Sequence, residues 1–343
     1  MGNSRLLFIS LPFVTGVACG ALLNVSAGNF PLLVLTACLV VLSSSKKHDK
    51  WIIPVMLFAL GVFCHSARCP IAVGHDAIIL RLSDYIDSIP FGDGRTGPLL
   101  RALMTGDRSG LDRDTIIAFR RSGASHLLAL SGLHLGIIAM FIRYLLMILG
   151  NSRPAEIVRA VLLVSFCLAY TIACGASPSL LRALLFIILQ QIAALSPSRR
   201  SSPADRLCIA ATVQLAFDPA AITSVAFQLS YLAMLGIVFI APRLEAWYPS
   251  TRLSARIDPL RRIWKGAAVA VSCQLTTAPV VLLRFGYFPQ YFLLTNLLAM
   301  PLCELLLPLA IITIILGSPA PLVWITDKTA TLLMAVLSII SEL

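Results

Sequence analysis

The sequence predicts an all-α, polytopic transmembrane protein with about ten to eleven membrane segments, some of them short or interrupted. Three observations carry this prediction. Of 343 residues, 58% are apolar and only 13% charged, where a soluble domain has about 45–50% and about 25%. The mean hydropathy is +0.89. Apolar runs approaching the roughly 20 residues that cross a bilayer recur along nearly the whole chain, leaving room for one modest hydrophilic region and no second soluble domain. An ordinary globular enzyme, a disordered chain and a small secreted scaffold are excluded.

The first run, 6–23, follows Arg5. Ala18-Cys19-Gly20 has the look of a lipoprotein cleavage site, but Gly16 spoils the pattern and further spans follow at once, so an uncleaved helix is expected. Runs at 30–43 and 51–66 complete an N-terminal group, 1–66. The segment 67–125 mixes eight basic with seven acidic residues and reads as outward-facing and interfacial: an amphipathic stretch near 77–89, a glycine-rich turn at Phe91-Gly92-Asp93-Gly94, and a helix from about Pro98. From 126 to 343 the chain is expected to form a membrane core, with runs at 126–149, 157–174, 179–195, 205–217, 221–241, 266–283, 290–316 and 320–341. Pro301 and Pro308 mark the run at 290–316 as a candidate half-helix, and the short runs at 30–43 and 205–217 are candidates for the same or for re-entrant pieces.

The net charge of +11 finds its first explanation in topology, since cytoplasmic loops collect Lys and Arg. With Arg5 inside, Lys46, Lys47, Lys50, Arg143, Arg153, Arg159, Arg199, Arg200, Arg206 and the stretch Arg243 to Lys265 all fall on the cytoplasmic side. The alternate loops at 24–29, 175–178 and 218–220 carry no Lys or Arg, and the loop at 284–289 carries only Arg284. Arg outnumbers Lys 22 to 5, which leaves bidentate phosphate binding open. Of nine cysteines, seven (Cys19, Cys38, Cys167, Cys174, Cys208, Cys273, Cys303) lie in apolar runs as small core residues, and Cys64 with Cys69 is the one candidate disulfide.

Polar groups inside a span are expensive and point to function. The most informative stretch runs from Leu100 to Leu145: a polar turn at Gly106-Asp107-Arg108, an amphipathic piece from Ile116 to Arg121, and a span opened by His126 that contains Ser131, Gly132 and His134. On a continuous helix the two histidines would stand about 12 Å apart along the axis and roughly 80° around it, so they would not chelate one metal. Ser131 and His134, three apart, can meet as nucleophile and base, but no matching acid and no Gly-x-Ser-x-Gly elbow accompany them. Two further readings stand beside that one: Gly132 and Gly136 as a helix-packing face, or a break at Ser131-Gly132 that lines a polar passage. Arg182, near the outer end of its span, either snorkels or faces a pathway. Gln190, Gln191, Gln214, Gln228, Ser230 and Gln274 add hydrogen-bonding groups that either glue helices together or line a wet passage. No P-loop occurs and no dense His/Asp metal set, so neither ATP hydrolysis by that route nor metal or cofactor chemistry is expected.

Read together, Gly106-Asp107-Arg108, Phe119-Arg120-Arg121-Ser122-Gly123 and His126-Leu127-Leu128-Ala129-Leu130-Ser131-Gly132-Leu133-His134 resemble the membrane competence domain of the ComEC family. The similarity continues through Pro178-Ser179-Leu180-Leu181-Arg182-Ala183, Asp218-Pro219, Phe227-Gln228-Leu229-Ser230, Gln274-Leu275-Thr276-Thr277-Ala278-Pro279 and Asn296-Leu297-Leu298-Ala299-Met300-Pro301, over roughly 98 to 316. The resemblance implies a multi-pass inner-membrane channel, N-terminus cytoplasmic, through which one strand of transforming DNA enters. Family members usually add an outward oligonucleotide-binding-fold domain and often a C-terminal metallo-β-lactamase-like domain. The 67–97 interval is too short for the first and the sequence stops at Leu343, so a DNA receptor, a cytoplasmic ATP-driven motor and a nuclease are expected as separate partners, beside the lipid bilayer and self-association.

A strand with a charge at every nucleotide needs polar or cationic groups along its path, yet too many fixed cations would hold it. Arg108, Arg120, Arg121 and Arg182 on the outer side suit that need, Phe119 offers a stacking face for a base, and His126, Ser131, Gly132, His134, Gln228, Ser230, Gln274 and Asn296, with Gly106 and Asp107, complete the candidate path. No catalytic residue is assigned. The alternatives from other classes are a transporter for a small solute or ion, an intramembrane hydrolase using Ser131 and His134, and a non-transporting remnant.

Overall fold

Among the described residues helices occupy the expected apolar runs, because a backbone in hydrocarbon must satisfy its own hydrogen bonds. The computed structural model describes residues 5–22, 49–66, 77–128, 131–150, 152–195, 202–249, 258–286 and 288–343. Fifteen α-helices are found among them: α1 (Arg5–Leu22), α2 (Asp49–Ser66), α3 (Ala77–Ser88), α4 (Thr96–Thr105), α5 (Arg113–Arg121), α6 (Ser125–Leu128), α7 (Gly132–Leu145), α8 (Arg153–Ala173), α9 (Pro178–Leu195), α10 (Pro203–Phe217), α11 (Val225–Leu235), α12 (Ala241–Glu245), α13 (Pro259–Phe285), α14 (Phe292–Ile315) and α15 (Ala320–Glu342). No strand occurs among the described residues. Among the described residues, seven helical stretches are long and apolar enough to cross a membrane, and Ile9–Leu22 and Ile53–His65 are shorter apolar helices. The chain is an all-α, multi-pass membrane protein.

Three runs depart from their expected form. The run at 290–316 is one helix, α14, that passes through both Pro301 and Pro308 and is not a half-helix; spans tolerate proline because neighbouring groups take up the freed carbonyls. The run at 221–241 is composite: a 3-10 turn at Pro219–Thr223, α11, and a π-helical turn at Gly236–Ile240 leading into α12. The wide turn lets Gly236 approach α13 so closely that a Cβ there would stand 2.4 Å from the Ser272 carbonyl oxygen. α13 starts seven residues before the expected 266, because Asp258 accepts from the Leu260 and Arg261 amides and Pro259 occupies the first turn. The expected run at 30–43 and residue Cys69 of the candidate disulfide lie outside the described residues.

The chain divides into two compact units. One takes in residues up to 72 together with 188–234. In it α1 and α2 pack in parallel, Gly16 against Phe58 and Gly61 against Phe13, at a separation where a Cβ on either glycine would overlap a carbonyl oxygen at 2.1 and 2.3 Å. Phe13, Val17 and Ala59 are buried along that seam. α10 is opened by a reciprocal Ser202–Asp205 cap at 3.1 Å each way and tied to α11 by the Tyr231 hydroxyl donating to Gln214 Oε1 at 3.0 Å.

The second unit takes in 73–187 and 235–343. Its core is apolar and contiguous: Leu99, Leu100 and Leu103 of α4, Phe119 of α5, Leu127 of α6, Ile137 of α7, Cys303, Leu306 and Leu307 of α14, and Leu333 and Leu337 of α15. The stretch from 77 to 121 thus sinks its apolar side into the last two spans. α8 stands opposite in character, only 22% of its span being buried within the protein. Two backbone anchors hold this unit's turns. The Thr295 hydroxyl donates to the Ser122 carbonyl at 2.6 Å, and the Tyr170 hydroxyl donates to the Met104 carbonyl.

Candidate functional site

The second unit's polar groups gather around the loop after α4 and the break between α6 and α7. α4 ends on Gly106 in the left-handed conformation (φ 81), its amide donating to the Ala102 carbonyl. The chain then turns on Asp107, whose Oδ1 accepts from the Ser109 amide at 2.9 Å. Arg101, one turn earlier, joins Asp87 at 2.7 Å, Asp107 at 3.4 Å and Ser109 Oγ at 3.2 Å. Gly106 and Asp107 therefore shape the turn, and Arg108 is its outward residue. Arg108 Nε donates to the Leu128 carbonyl, the last of α6, at 2.9 Å.

α5 follows with Asp112 as cap, accepting from the Thr115 amide at 3.3 Å. Phe119 is 1% exposed and belongs to the apolar core, so its ring offers no face to a base, contrary to the sequence expectation. An amphipathic helix at 3.6 residues per turn has to bury its one large aromatic. Arg120 and Arg121 are exposed on its last turn, where their charge complements the helix dipole. Gly123 (φ 82) turns the chain toward α6, and His126 Nδ1 lies 3.1 Å from the Gly123 carbonyl, so that nitrogen carries the proton.

α6 ends at Leu128 and α7 begins at Gly132. Ser131 before it is extended (φ −112, ψ 164), so the span opened by His126 is not one helix and the continuous-helix separation of the two histidines does not apply. His134 Nδ1 accepts from the Ser131 amide at 3.2 Å and lies 2.9 Å from Ser131 Oγ. The neutral ring therefore carries its proton on Nε2. His134 is fully buried, and that Nε2 has no hydrogen-bond partner among the described residues. The sequence reading of Ser131 meeting His134 is geometrically right. Its local use is a helix cap, with the imidazole in the place usually held by Glu or Gln.

Arg182 closes the site from α9. It is 8% exposed and so does not snorkel out; a Cβ on Gly132 would stand 3.1 Å from its Nη2. The Gly132 amide donates to Ser179 Oγ at 3.3 Å. Gly132 is thus required by the approach of α9 to the break. The turn that brings α9 there uses left-handed backbone at Gly175 and Ala176. The break at 128–132 is flanked by two guanidinium groups, Arg108 on one end and Arg182 on the other.

The remaining candidates lie on α11, α13 and α14. Gln228 Nε2 donates to the Ile222 carbonyl at 2.9 Å and braces a corner of the first unit, where half-buried Ser230 also lies. Gln274 on α13 keeps a buried Nε2 without a partner among the described residues, and Asn296 is half-buried on α14.

Two residues of this region escaped sequence reasoning. Arg101 is one. The other is Asp327, 6% exposed inside the α15 span, whose Oδ1 accepts from the Thr96 hydroxyl at 2.7 Å and the Asp93 amide at 3.2 Å. It holds the glycine-rich turn to the last helix. A carboxylate in a span was a usable signal. Beside it the Arg95 guanidinium, donating to Asp93 at 2.9 and 3.1 Å, holds the Asp93 carboxyl below the usual carboxylate range.

Fold and site together define a multi-pass helical membrane protein with a helix broken at a buried arginine. The Competence protein family model matches residues 103–343, and the chain belongs to that family. The ComE operon protein 3 of Bacillus subtilis (strain 168) is 30% identical over 205 residues, a match covering 59% of this chain and 24% of that protein. The chain thus aligns with about a quarter of the length of this relative. No solved structure matches it.

Proposed function

We propose that this protein is a channel component for the uptake of transforming DNA, passing a single strand across the bacterial inner membrane, with its N-terminus in the cytoplasm. The observation that carries this reading is Arg182, buried at 8% exposure against the start of a broken helix, in a chain of the Competence family. Burying a guanidinium at a span is costly and marks a path for charge. Arg108 at the opposite side of the break supplies a second cation, and two such groups, rather than a dense row, let a polyanion pass without holding it.

In this reading the protein is not an enzyme. Ser131 and His134 meet at 2.9 Å, but Nδ1 already accepts from the Ser131 amide, and no acid orients Nε2 among the described residues. The receptor, the ATP-driven motor and the nuclease are separate proteins in this reading.

The test is uptake of labelled double-stranded DNA in a deletion strain carrying the wild-type gene, Arg182→Ala or Arg182→Lys, with surface-bound and nuclease-protected label separated. Bound label is expected to persist in all three. Protected label should fall at least about tenfold in Arg182→Ala, the effect of losing one strong charge contact, and recover in part in Arg182→Lys. Unchanged protected label in Arg182→Ala, with the protein present in the membrane, removes the basis of the reading. A serine-directed covalent probe that labels Ser131 would favour the hydrolase instead.

A further inference from the structure

We propose that residues 85–122 cross the thickness of the membrane beside α14 and α15, and that their charged side lines a water-filled cleft reaching the middle of the bilayer. This placement does not depend on the DNA reading. It follows from where the segment is anchored on the last two spans.

α14 and α15 are 24 and 23 residues long, and both are apolar enough to cross. The turn that joins them holds Gly317 and Ser318, both left-handed. At that turn the Tyr85 hydroxyl lies 3.3 Å from Ser318 Oγ. Farther along α15, Asp327 accepts from the Asp93 amide and the Thr96 hydroxyl. Phe119 then shares one apolar core with Met334 and Leu337. At the end of α14 remote from the turn, the Thr295 hydroxyl donates to the Ser122 carbonyl. The anchors thus run in the same order along the segment as along the hairpin. From Thr295 to Ile315 a helix rises about 30 Å, and the hydrocarbon core is about 30 Å thick. A segment lying flat on one membrane surface would meet only one end of the hairpin.

The charges of the segment fall between those ends. At the helical rise, Asp327 lies about 11 Å and Ser338 about 27 Å from the start of α15. Around these levels opens a cleft of ≈ 330 Å³, with Arg95, Asp114, Thr115, Met334, Leu337 and Ser338 in its lining. Arg95, Asp112, Arg113 and Asp114 are exposed, and the non-helical stretch between α3 and α4 is held at the same depth by Asp327. Charged side chains and irregular backbone persist at membrane depth where they meet protein or water, not lipid. The side of α15 turned away from Met334 and Leu337 is of the other kind. Trp324, Leu332 and Ile339 stand there at 62%, 51% and 63% exposure, with Lys328, whose long stem can snorkel, as the one charge before the terminal turn. One helix therefore faces lipid on one side and the wet cleft on the other.

Single cysteines introduced into the full-length protein in spheroplasts test this, with a membrane-impermeant sulfonated maleimide as probe and the label read at the introduced position by peptide mass spectrometry, so that native cysteines do not interfere. Exposed Asp84 and Arg121 flank the two ends of the segment. Asp84→Cys and Arg121→Cys are expected to label from opposite sides, one in intact spheroplasts and the other only in inverted vesicles. A thiol reacts as its thiolate, which hydrocarbon excludes, so with both sides open Asp114→Cys should label at least about tenfold faster than Leu332→Cys on the lipid side. Arg113→Cys reports on the same depth if Asp114→Cys fails to reach the membrane. Labelling of Asp84→Cys and Arg121→Cys from one and the same side overturns the crossing and leaves a segment on one surface. Cleft cysteines as slow as Leu332→Cys overturn the wet cleft.

Discussion

Removing the Asp327 carboxylate is expected to unfasten the turn that starts α4 and to lower the stability of the second unit by about 3–5 kcal/mol. Asp327→Ala deletes the acceptor of two hydrogen bonds, from Thr96 Oγ1 at 2.7 Å and from the Asp93 amide at 3.2 Å. Bonds to a charged acceptor contribute about 1.5–3 kcal/mol each, and the Thr96 hydroxyl, fully buried, would be left without its acceptor. Asp327→Asn keeps an oxygen in reach of both donors and should cost roughly 1–2 kcal/mol, the charge-assisted share. Thr96→Val leaves the carboxylate short of one donor and should cost about 1–3 kcal/mol. The decisive measurement is the double-mutant cycle of Asp327→Ala and Thr96→Val, followed by SDS-titrated unfolding in mixed micelles. A coupling of about 1.5–3 kcal/mol is expected. Additivity within about 0.5 kcal/mol would refute the reasoning, since the two groups would then not share a bond that matters to the fold.

Two further predictions use the same titration. Gly123 combines a φ of 82 with a position where a Cβ would lie 2.8 Å from Pro289 Cβ; Gly123→Ala should therefore destabilise by about 2–3 kcal/mol, and a change below about 0.5 kcal/mol would show that the turn yields freely. Asp93 is held below its ordinary value of 3.8 by the Arg95 hydrogen bond. A carboxyl with a depressed folded-state value contributes stability above its unfolded value and loses it as pH falls through the folded one, so unfolding measured from pH 6 down past pH ~3.8 should show a decline below that point which Asp93→Asn flattens. An identical acid limb in that variant would place the effect elsewhere.

How far the site was legible depends on whether its logic is local. The turn at Gly106-Asp107-Arg108 is local: a left-handed C-cap followed by an Asp that bonds two residues on is a signal within a few residues, and the structure forms it. The break at Ser131-Gly132 stood among three open readings of the sequence, and what the structure forms there, a cap between Ser131 and His134 three residues on, is likewise local. Phe119 was misread because its place beside Arg120 and Arg121 suggested a binding face, while its register on α5 turns it inward. Arg101 and Asp327 escaped because their partners, Asp87 and Asp107 in one case and Thr96 in the other, are joined by packing and not by spacing.

The sequence by itself determined the solvent this protein lives in and the repertoire open to it. Apolar runs of membrane length allow only self-satisfied helices, and that inference needs no coordinates. Which polar groups meet was decided by tertiary structure alone. Arg182 touches Gly132 because α9 docks on the break, and Asp327 reaches Thr96 because the last span lies against α4; the residues of each pair are 50 and 231 positions apart. Hydropathy is a property of each residue with its near neighbours along the chain. A contact between distant helices depends on the packing of everything between them, and no local pattern encodes it.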